Sequence, residues 1–236
     1  MFNLLFCDRP GNGRGGSVVK IEASTVHVWR WATAAHRDDA ERAVRKILSM
    51  YVGTSPDQIE LRRPAGTRRL VLASGQGLQF NLTHSDREAL LAVTQGRRVG
   101  VDIERARPML RLDRLIRRFF SDREAEGLLR LGPEEREAAF FRTWVRKEAY
   151  LKAVGGGVPA GLRRFSVSVA RDEPPAILDT ELEADGASAF TLYDLDVPEG
   201  HAGALAVEGT GHRIRYMSTN VGDKLRRYSS GTAMIP

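Results

Sequence analysis

Apolar residues recur along this chain at two periods, and the period assigns the element. Val26, Val28 and Ala32 mark a first strand. Ala40, Val44, Ile47, Leu48 and Tyr51 fall at helical spacing and predict a helix over residues 36–52. A loop carrying Pro56, Pro64 and Gly66 follows, and then strands are expected at 70–73, 80–83, 89–94 and 99–104. Gln95-Gly96-Arg97-Arg98 reads as the turn of a hairpin joining the last two. Beyond Pro108 the period becomes helical: Leu112, Leu115, Ile116, Phe119 and Phe120 share one face. Ser121 opens a short second helix, and Pro133 sits in the first turn of a long third one carrying Phe140, Phe141, Trp144 and Val145. Gly155-Gly156-Gly157 stops that helix. Strand-like alternation returns at 165–169, 190–195 and 202–207.

This order divides the chain into a Gly-rich flexible start (1–20), a first half (21–97), a second half (98–210) and a polar tail expected to be flexible (211–236). The fold class expected from the mixture of elements is α+β.

Composition narrows the picture. The 236 residues are 42% hydrophobic and 28% charged, which is enough apolar material for a real core. No apolar run is long enough to cross a bilayer, so no membrane association is expected. Residues 1–6 are apolar but lack a basic leader, so no secretory signal is expected and the expected location is cytoplasmic. One cysteine excludes an internal disulfide and a cysteine-rich metal site. The net charge of +6 favours anionic partners, but the arginines are scattered over the chain. With only 7% aromatic residues, mostly at core spacing, a nucleic-acid-binding surface is not expected.

Two segments carry candidate chemistry. In Val99-Gly100-Val101-Asp102-Ile103-Glu104, strand alternation puts Asp102 and Glu104 on one face and turns Ile103 toward the core. Adjacent carboxylates repel unless a cation lies between them, and Mg²⁺ prefers such hard oxygen ligands. The plain structural alternative is a strand end exposing two acids to solvent. On the long helix, Trp144, Glu148 and Lys152 lie one turn apart on one face. Glu148 is a candidate third metal oxygen and Lys152 a candidate phosphate contact. The alternative is an ordinary surface ion pair between the two, worth a few tenths of a kcal/mol.

Taken together, Gly100-x-Asp102-x-Glu104 and Trp144-x-x-Lys147-Glu148-Ala149-x-x-Lys152 resemble the signature of the 4'-phosphopantetheinyl transferases. Phe80-Asn81-Leu82-Thr83-His84-Ser85 and Phe119-Phe120-Ser121-x-x-Glu124 resemble two further segments of that family, in the same order. The resemblance covers residues 39–207 and is of the Sfp type, with two halves in one chain. It implies an α+β fold of two similar halves related by a pseudo-two-fold, meeting near residues 97–99, with coenzyme A bound between them. It implies Mg²⁺, with Mn²⁺ as a substitute, on Asp102, Glu104 and Glu148. It implies phosphate contact by Lys152 and nucleotide contact by Thr83 and His84. The family's catalytic base falls on Glu124, although Ser121-x-x-Glu124 is also a helix capping box. The implied activity is Mg-dependent transfer of phosphopantetheine from coenzyme A to a serine of an apo acyl, peptidyl or polyketide carrier protein, releasing 3',5'-ADP, by a monomer.

The chain departs from the family pattern at two places. The basic stretch before the first helix is shortened, and the usual Gly-Lys-Pro reads Gly66-Thr67-Arg68. Arg68 or Arg69, with Arg37 and Arg42 as weaker candidates, would stand in for the missing nucleotide contacts. These departures define the alternative of a weakly active or non-catalytic homologue that binds coenzyme A or carrier proteins.

Overall fold

A computed structural model describes residues 18–33, 37–65, 69–73, 77–155, 161–218 and 232–233. Most of the Gly-rich start, Arg68 and most of the polar tail lie outside the described residues. The elements run β1 (Thr25–Ala32), α1 (Arg37–Val52), β2 (Leu61–Arg62), β3 (Val71–Leu72), β4 (Leu78–Ser85), β5 (Glu88–Gln95) and β6 (Val99–Arg105). Three helices follow, α2 (Leu112–Phe119), α3 (Asp122–Arg130) and α4 (Pro133–Val154). The chain then forms β7 (Phe165–Val167), β8 (Ile177–Thr180), β9 (Phe190–Asp194), β10 (His201–Glu208), β11 (Arg213–Ser218) and β12 (Thr232–Ala233). The fold is mixed α+β, as expected. Among the described residues no helix is long and apolar enough to cross a membrane.

The core is layered by strand alternation. A five-stranded sheet has the order β12-β11-β1-β5-β4, and a three-stranded sheet has the order β6-β10-β9. On β1, Trp29 and Trp31 face α1 and pack with Val44, Ile47 and Leu48, whereas Val26 and Val28 point the other way. There they meet Val99, Val101 and Ile103 of β6 and Leu205 and Val207 of β10, so the two sheets share one apolar interior. The far face of β10, Ala204 and Ala206, packs on α4 with Ala149 and Ala153. The layers therefore run α1, larger sheet, smaller sheet, α4. Strands β5 and β10 are buried on two faces, which suits their nearly continuous apolar runs.

Two expectations are corrected. Gln95-Gly96-Arg97-Arg98 does not close a hairpin between β5 and β6. Both edges of β5 are already taken, by β1 and by β4, and β6 pairs with β10. The true hairpin is β4–β5, closed by Asp86, whose φ is 53°. The residues after β5 carry the chain from one sheet to the other. Arg98 anchors the crossing: its guanidinium donates to Glu183 at 2.7 and 3.0 Å and to Glu208 at 2.9 and 3.0 Å. The second correction concerns the tail. Arg213–Ser218 forms β11, parallel to β1 with Ile214 opposite Val26, and Ile214 is buried in the layer between the sheets. Ile214 and Tyr216 alternate with Arg213 and Arg215 and pack together between the sheets, a short period-2 signal that the polar surroundings of the segment obscured.

α1 is tied to β1 by a buried polar cluster. Trp29 Nε1 donates to the Tyr51 hydroxyl at 2.7 Å, and that hydroxyl lies 2.7 Å from His27 Nδ1. Either partner of the His27–Tyr51 contact can donate, and burial is what favours the neutral imidazole. Burial, and then the nearby charge of Arg215, lower the His27 pKa from 6.5 to about 4. An unfolded chain would take up this proton from pH 6.5 downward while the folded chain resists it. Stability is therefore fully present above pH 6.5 and is lost as pH falls toward 4, by about 3 kcal/mol from this group. Urea midpoints measured across that window should slope less steeply in His27→Gln than in the wild-type chain, and an unchanged slope would show that His27 is not the titrating group.

Candidate functional site

The site forms where α4 lies across β6, and a glycine sets the distance. A Cβ on Gly100 would stand 2.1 Å from the Ala149 carbonyl oxygen and 2.5 Å from the Ala153 nitrogen. No side chain fits there, so Gly100 lets the helix backbone come down onto the strand. The facing strand helps, because Ala202, Ala204 and Ala206 of β10 stand opposite Glu104, Asp102 and Gly100 and add little bulk on the helix side. Asp102 and Glu104 then point toward α4 and the Ile103 side chain is buried between the sheets, as alternation predicts.

The close approach brings Lys152 to Asp102. Its Nζ is 2.6 Å from Asp102 Oδ1, and it also donates to Val101 O and Thr83 Oγ1, each at 3.2 Å. The Asp102 side chain is 6% exposed and that of Lys152 25%, so the pair is desolvated on the acid side and open on the basic side. Lys152 therefore bonds across to β6. The ordinary helix pair with Glu148 is not made.

Glu148 lies one turn earlier on α4 and is buried. Desolvation, followed by the charge of Asp102, raises its pKa to about 7, with Glu104 adding to the rise and Lys152 opposing it. Glu104 is also shifted upward, first by desolvation and then by Asp102, while its hydrogen bond from Ser85 and the charges of Lys152 and Arg107 pull it back. The three carboxylates are thus electrostatic neighbours that repel one another, with a single ammonium among them. Two of their oxygens, Asp102 Oδ2 and Glu148 Oε1, are buried and receive no hydrogen bond from the described residues. An unsatisfied buried carboxylate oxygen is costly, and a divalent cation is the group that would relieve two at once. The described residues do not form a closed metal cage of three or more acidic, His or Cys ligands.

Strand β4 completes the site from the other sheet. Thr83 Oγ1 donates to Asp102 Oδ1 at 3.0 Å, and Ser85 Oγ donates to Glu104 Oε2 at 3.0 Å. Asn81 Oδ1 accepts from the Val101 nitrogen at 3.0 Å. Sequence reading assigned Thr83 to nucleotide contact and assigned nothing to Asn81 or Ser85. The signal was available, since all three share one face of a strand. His84 falls on the opposite face of β4 and is exposed, so the structure separates it from Thr83. Arg42 is a largely exposed residue of α1 paired with Asp39, away from this cluster. Arg68 lies outside the described residues.

Glu124 is corrected. It is fully buried, and both its oxygens are committed to structure. Oε1 accepts from Lys147 Nζ at 2.6 Å and from the Val167 nitrogen at 2.8 Å; Oε2 accepts from Lys147 Nζ at 2.8 Å and from the Ser121 nitrogen at 2.9 Å. Ser121 completes the capping box by accepting from the Glu124 nitrogen at 3.3 Å. Such a carboxylate joins α3, α4 and β7 and has no oxygen free to take a proton. Trp144 is a packing residue, stacked on Phe140 and edge-on to Phe119 and Phe120.

Two substitutions test this geometry. Gly100→Ala must push the helix off the strand against backbone atoms and should lose about 3 kcal/mol of unfolding free energy; a wild-type urea midpoint would show that the helix is not held so close. Glu124→Gln leaves Lys147 buried without its counter-charge and should cost about 3–5 kcal/mol. Wild-type stability combined with loss of catalysis in that variant would restore the base assignment.

Comparison with known proteins gives the family. Residues 98–206, which hold β6, α4 and β10, match the 4'-phosphopantetheinyl transferase superfamily. The 4'-phosphopantetheinyl transferase HetI of Nostoc sp. (strain PCC 7120) is 37% identical over 175 residues, covering 73% of this chain and 70% of that protein. A phosphopantetheinyl transferase of Thraustochytrium sp. is 31% identical over 201 residues, covering 79% of this chain and 69% of that one. The 4'-phosphopantetheinyl transferase Sfp of Bacillus subtilis (strain 168) is 34% identical over 93 residues, covering 39% of this chain and 40% of its own length. A relative this similar over this much of both chains places the protein: it belongs to the 4'-phosphopantetheinyl transferase superfamily.

Proposed function

We propose that this enzyme transfers the 4'-phosphopantetheine group of coenzyme A to a serine of an apo carrier protein, in a Mg²⁺-dependent reaction that releases 3',5'-ADP. The observation that carries the reading is the pair of buried carboxylate oxygens without donors, Asp102 Oδ2 and Glu148 Oε1, set beside the half-open Lys152 ammonium. Asp102, Glu148 and Glu104 would hold Mg²⁺, which supplies charge neutralisation of the coenzyme A pyrophosphate when bound.

The chain's own residues do the rest by positioning. Lys152, anchored by Asp102 and Val101 O, presents its ammonium toward the phosphate that carries the pantetheine arm. The carrier serine Oγ bonds to that β-phosphorus, the bond from it to the bridging oxygen breaks, and 3',5'-ADP leaves with the electron pair. The serine proton passes to water at the open side of the site, because Glu124 is sealed in the core. The low exposure of Asp102 and Glu148 strengthens every charge interaction made there.

The test mixes the protein with coenzyme A, Mg²⁺ and several apo carrier proteins and weighs the carriers. A gain of about 340 Da, abolished by EDTA, is expected. Asp102→Ala should lose the gain by at least about 100-fold in rate while keeping the wild-type fold by circular dichroism. No gain on any carrier, or a fully active Asp102→Ala, overturns the reading.

A further inference from the structure

We propose that Ser85, supported by Asn81, is a positioning residue that aims Glu104 and holds the register of the carboxylate strand. The inference rests on the metal reading given above. β6 is an edge strand whose backbone pairs only with β10. On its other side lies β4, yet the two strands exchange no ladder of backbone bonds. The odd-numbered side chains of β4 take that place. Asn81 Oδ1 receives the Val101 N–H, and Ser85 Oγ receives the Arg105 N–H at 3.1 Å. These two bonds bracket Asp102 and Glu104, and they satisfy edge N–H groups that would otherwise be left open.

Ser85 has a second bond, and that one selects a rotamer. Its hydroxyl donates to Glu104 Oε2 while its lone pair holds the Arg105 nitrogen, so one atom fixes both the side chain and the backbone next to it. Glu104 needs this help. Its neighbour Asp102 repels it, the charge of Arg107 attracts it, and its side chain is only partly buried. Without the hydroxyl, the carboxylate would swing outward, away from Asp102 and Glu148. Thr83 serves Asp102 in the same way but is also bonded to Lys152, so its loss would mix two effects. Ser85 touches neither Lys152 nor Glu148, which makes it the clean probe.

Groups that orient a metal-binding carboxylate typically change metal affinity 10- to 100-fold when removed. The experiment titrates Mn²⁺ into the full chain, alone and with coenzyme A, and follows the free-ion signal by electron paramagnetic resonance. Ser85→Ala should raise the Mn²⁺ Kd by about 10- to 100-fold. Ser85→Thr, which keeps the hydroxyl on a residue suited to a strand, should return it to within about 3-fold of wild type. Asn81→Ala should lower the thermal midpoint as well as the affinity, because it removes only the backbone bond. Equal Mn²⁺ affinity in wild type and Ser85→Ala overturns the positioning role and leaves the metal reading intact. Failure of Ser85→Thr to restore affinity overturns it too, since loss of packing rather than of the hydroxyl would then be responsible. Absence of Mn²⁺ binding by the wild-type chain overturns the metal reading and this inference with it.

Discussion

The contact between the backbones of β6 and α4 sets what everything else in the site can do. Lys152 bonds to Asp102 and to the Val101 carbonyl only because the helix descends to the strand at Gly100. A helix resting at the usual distance above a sheet, separated by full side chains, would leave that ammonium short of β6. The small residues are spent on both partners, with Ala149 and Ala153 on the helix and Ala204 and Ala206 on β10. A close backbone approach forfeits the burial that larger side chains would contribute there. The fold recovers apolar area one layer away, where Val99, Val101, Ile103, Leu205 and Val207 pack against the larger sheet.

A helix pressed this closely also has to be held from its other side, and two ion pairs do that, one fully buried and one with its acid exposed. Arg146 donates to both oxygens of Asp194, at 2.8 and 2.6 Å, and to the Ser168 carbonyl at 2.7 Å. Lys147 donates to Glu124 and to the Phe165 carbonyl and sits over the Phe165 ring, 4.0 Å from its centre. Buried pairs contribute little net stability against an apolar substitute, but they are specific, because a helix turned or slid by one residue would strand the charges. The sequence Arg146-Lys147-Glu148 thus divides its labour: two cations lock the helix and the next residue serves the site.

The grouping of the acids was legible from the letters because it depends on local geometry. Strand alternation aligned Asp102 with Glu104, and helical spacing aligned Trp144, Glu148 and Lys152. What was not legible depends on how distant elements meet. That Lys152 would reach across to Asp102 instead of pairing with Glu148 follows from Gly100, whose purpose appears only when the helix is in place. Glu124 satisfied a family pattern and a capping box at once, and only its burial against Lys147 and Val167 decides between them. The supposed hairpin between β5 and β6 failed for a related reason: a Gly-containing turn marks a change of direction without saying which strand comes next in the sheet. β11 was overlooked because its alternation, Ile214 and Tyr216 between arginines, is short and sits in an otherwise polar segment.

The charge balance ties these features to the proposed chemistry. Asp102, Glu104 and Glu148 bring three negative charges to a place where Lys152 brings one positive charge. Protonating Glu148 would lower that surplus within the chain; burial first, and then the charge of Asp102, raise its pKa to about 7. The alternative is a divalent cation, which removes the repulsion without giving up a ligand and turns the surplus into binding energy. A pyrophosphate could not enter a pocket of bare carboxylates, so in the proposed reaction the cation must come with the nucleotide or before it. Lys152 cannot substitute for it. Its charge is already shared with Asp102, and a single ammonium would leave both the acids and the phosphates undercompensated. The same acids that make the apo pocket electrostatically unfavourable are therefore what make the order of assembly, cation and coenzyme before carrier, physically favoured.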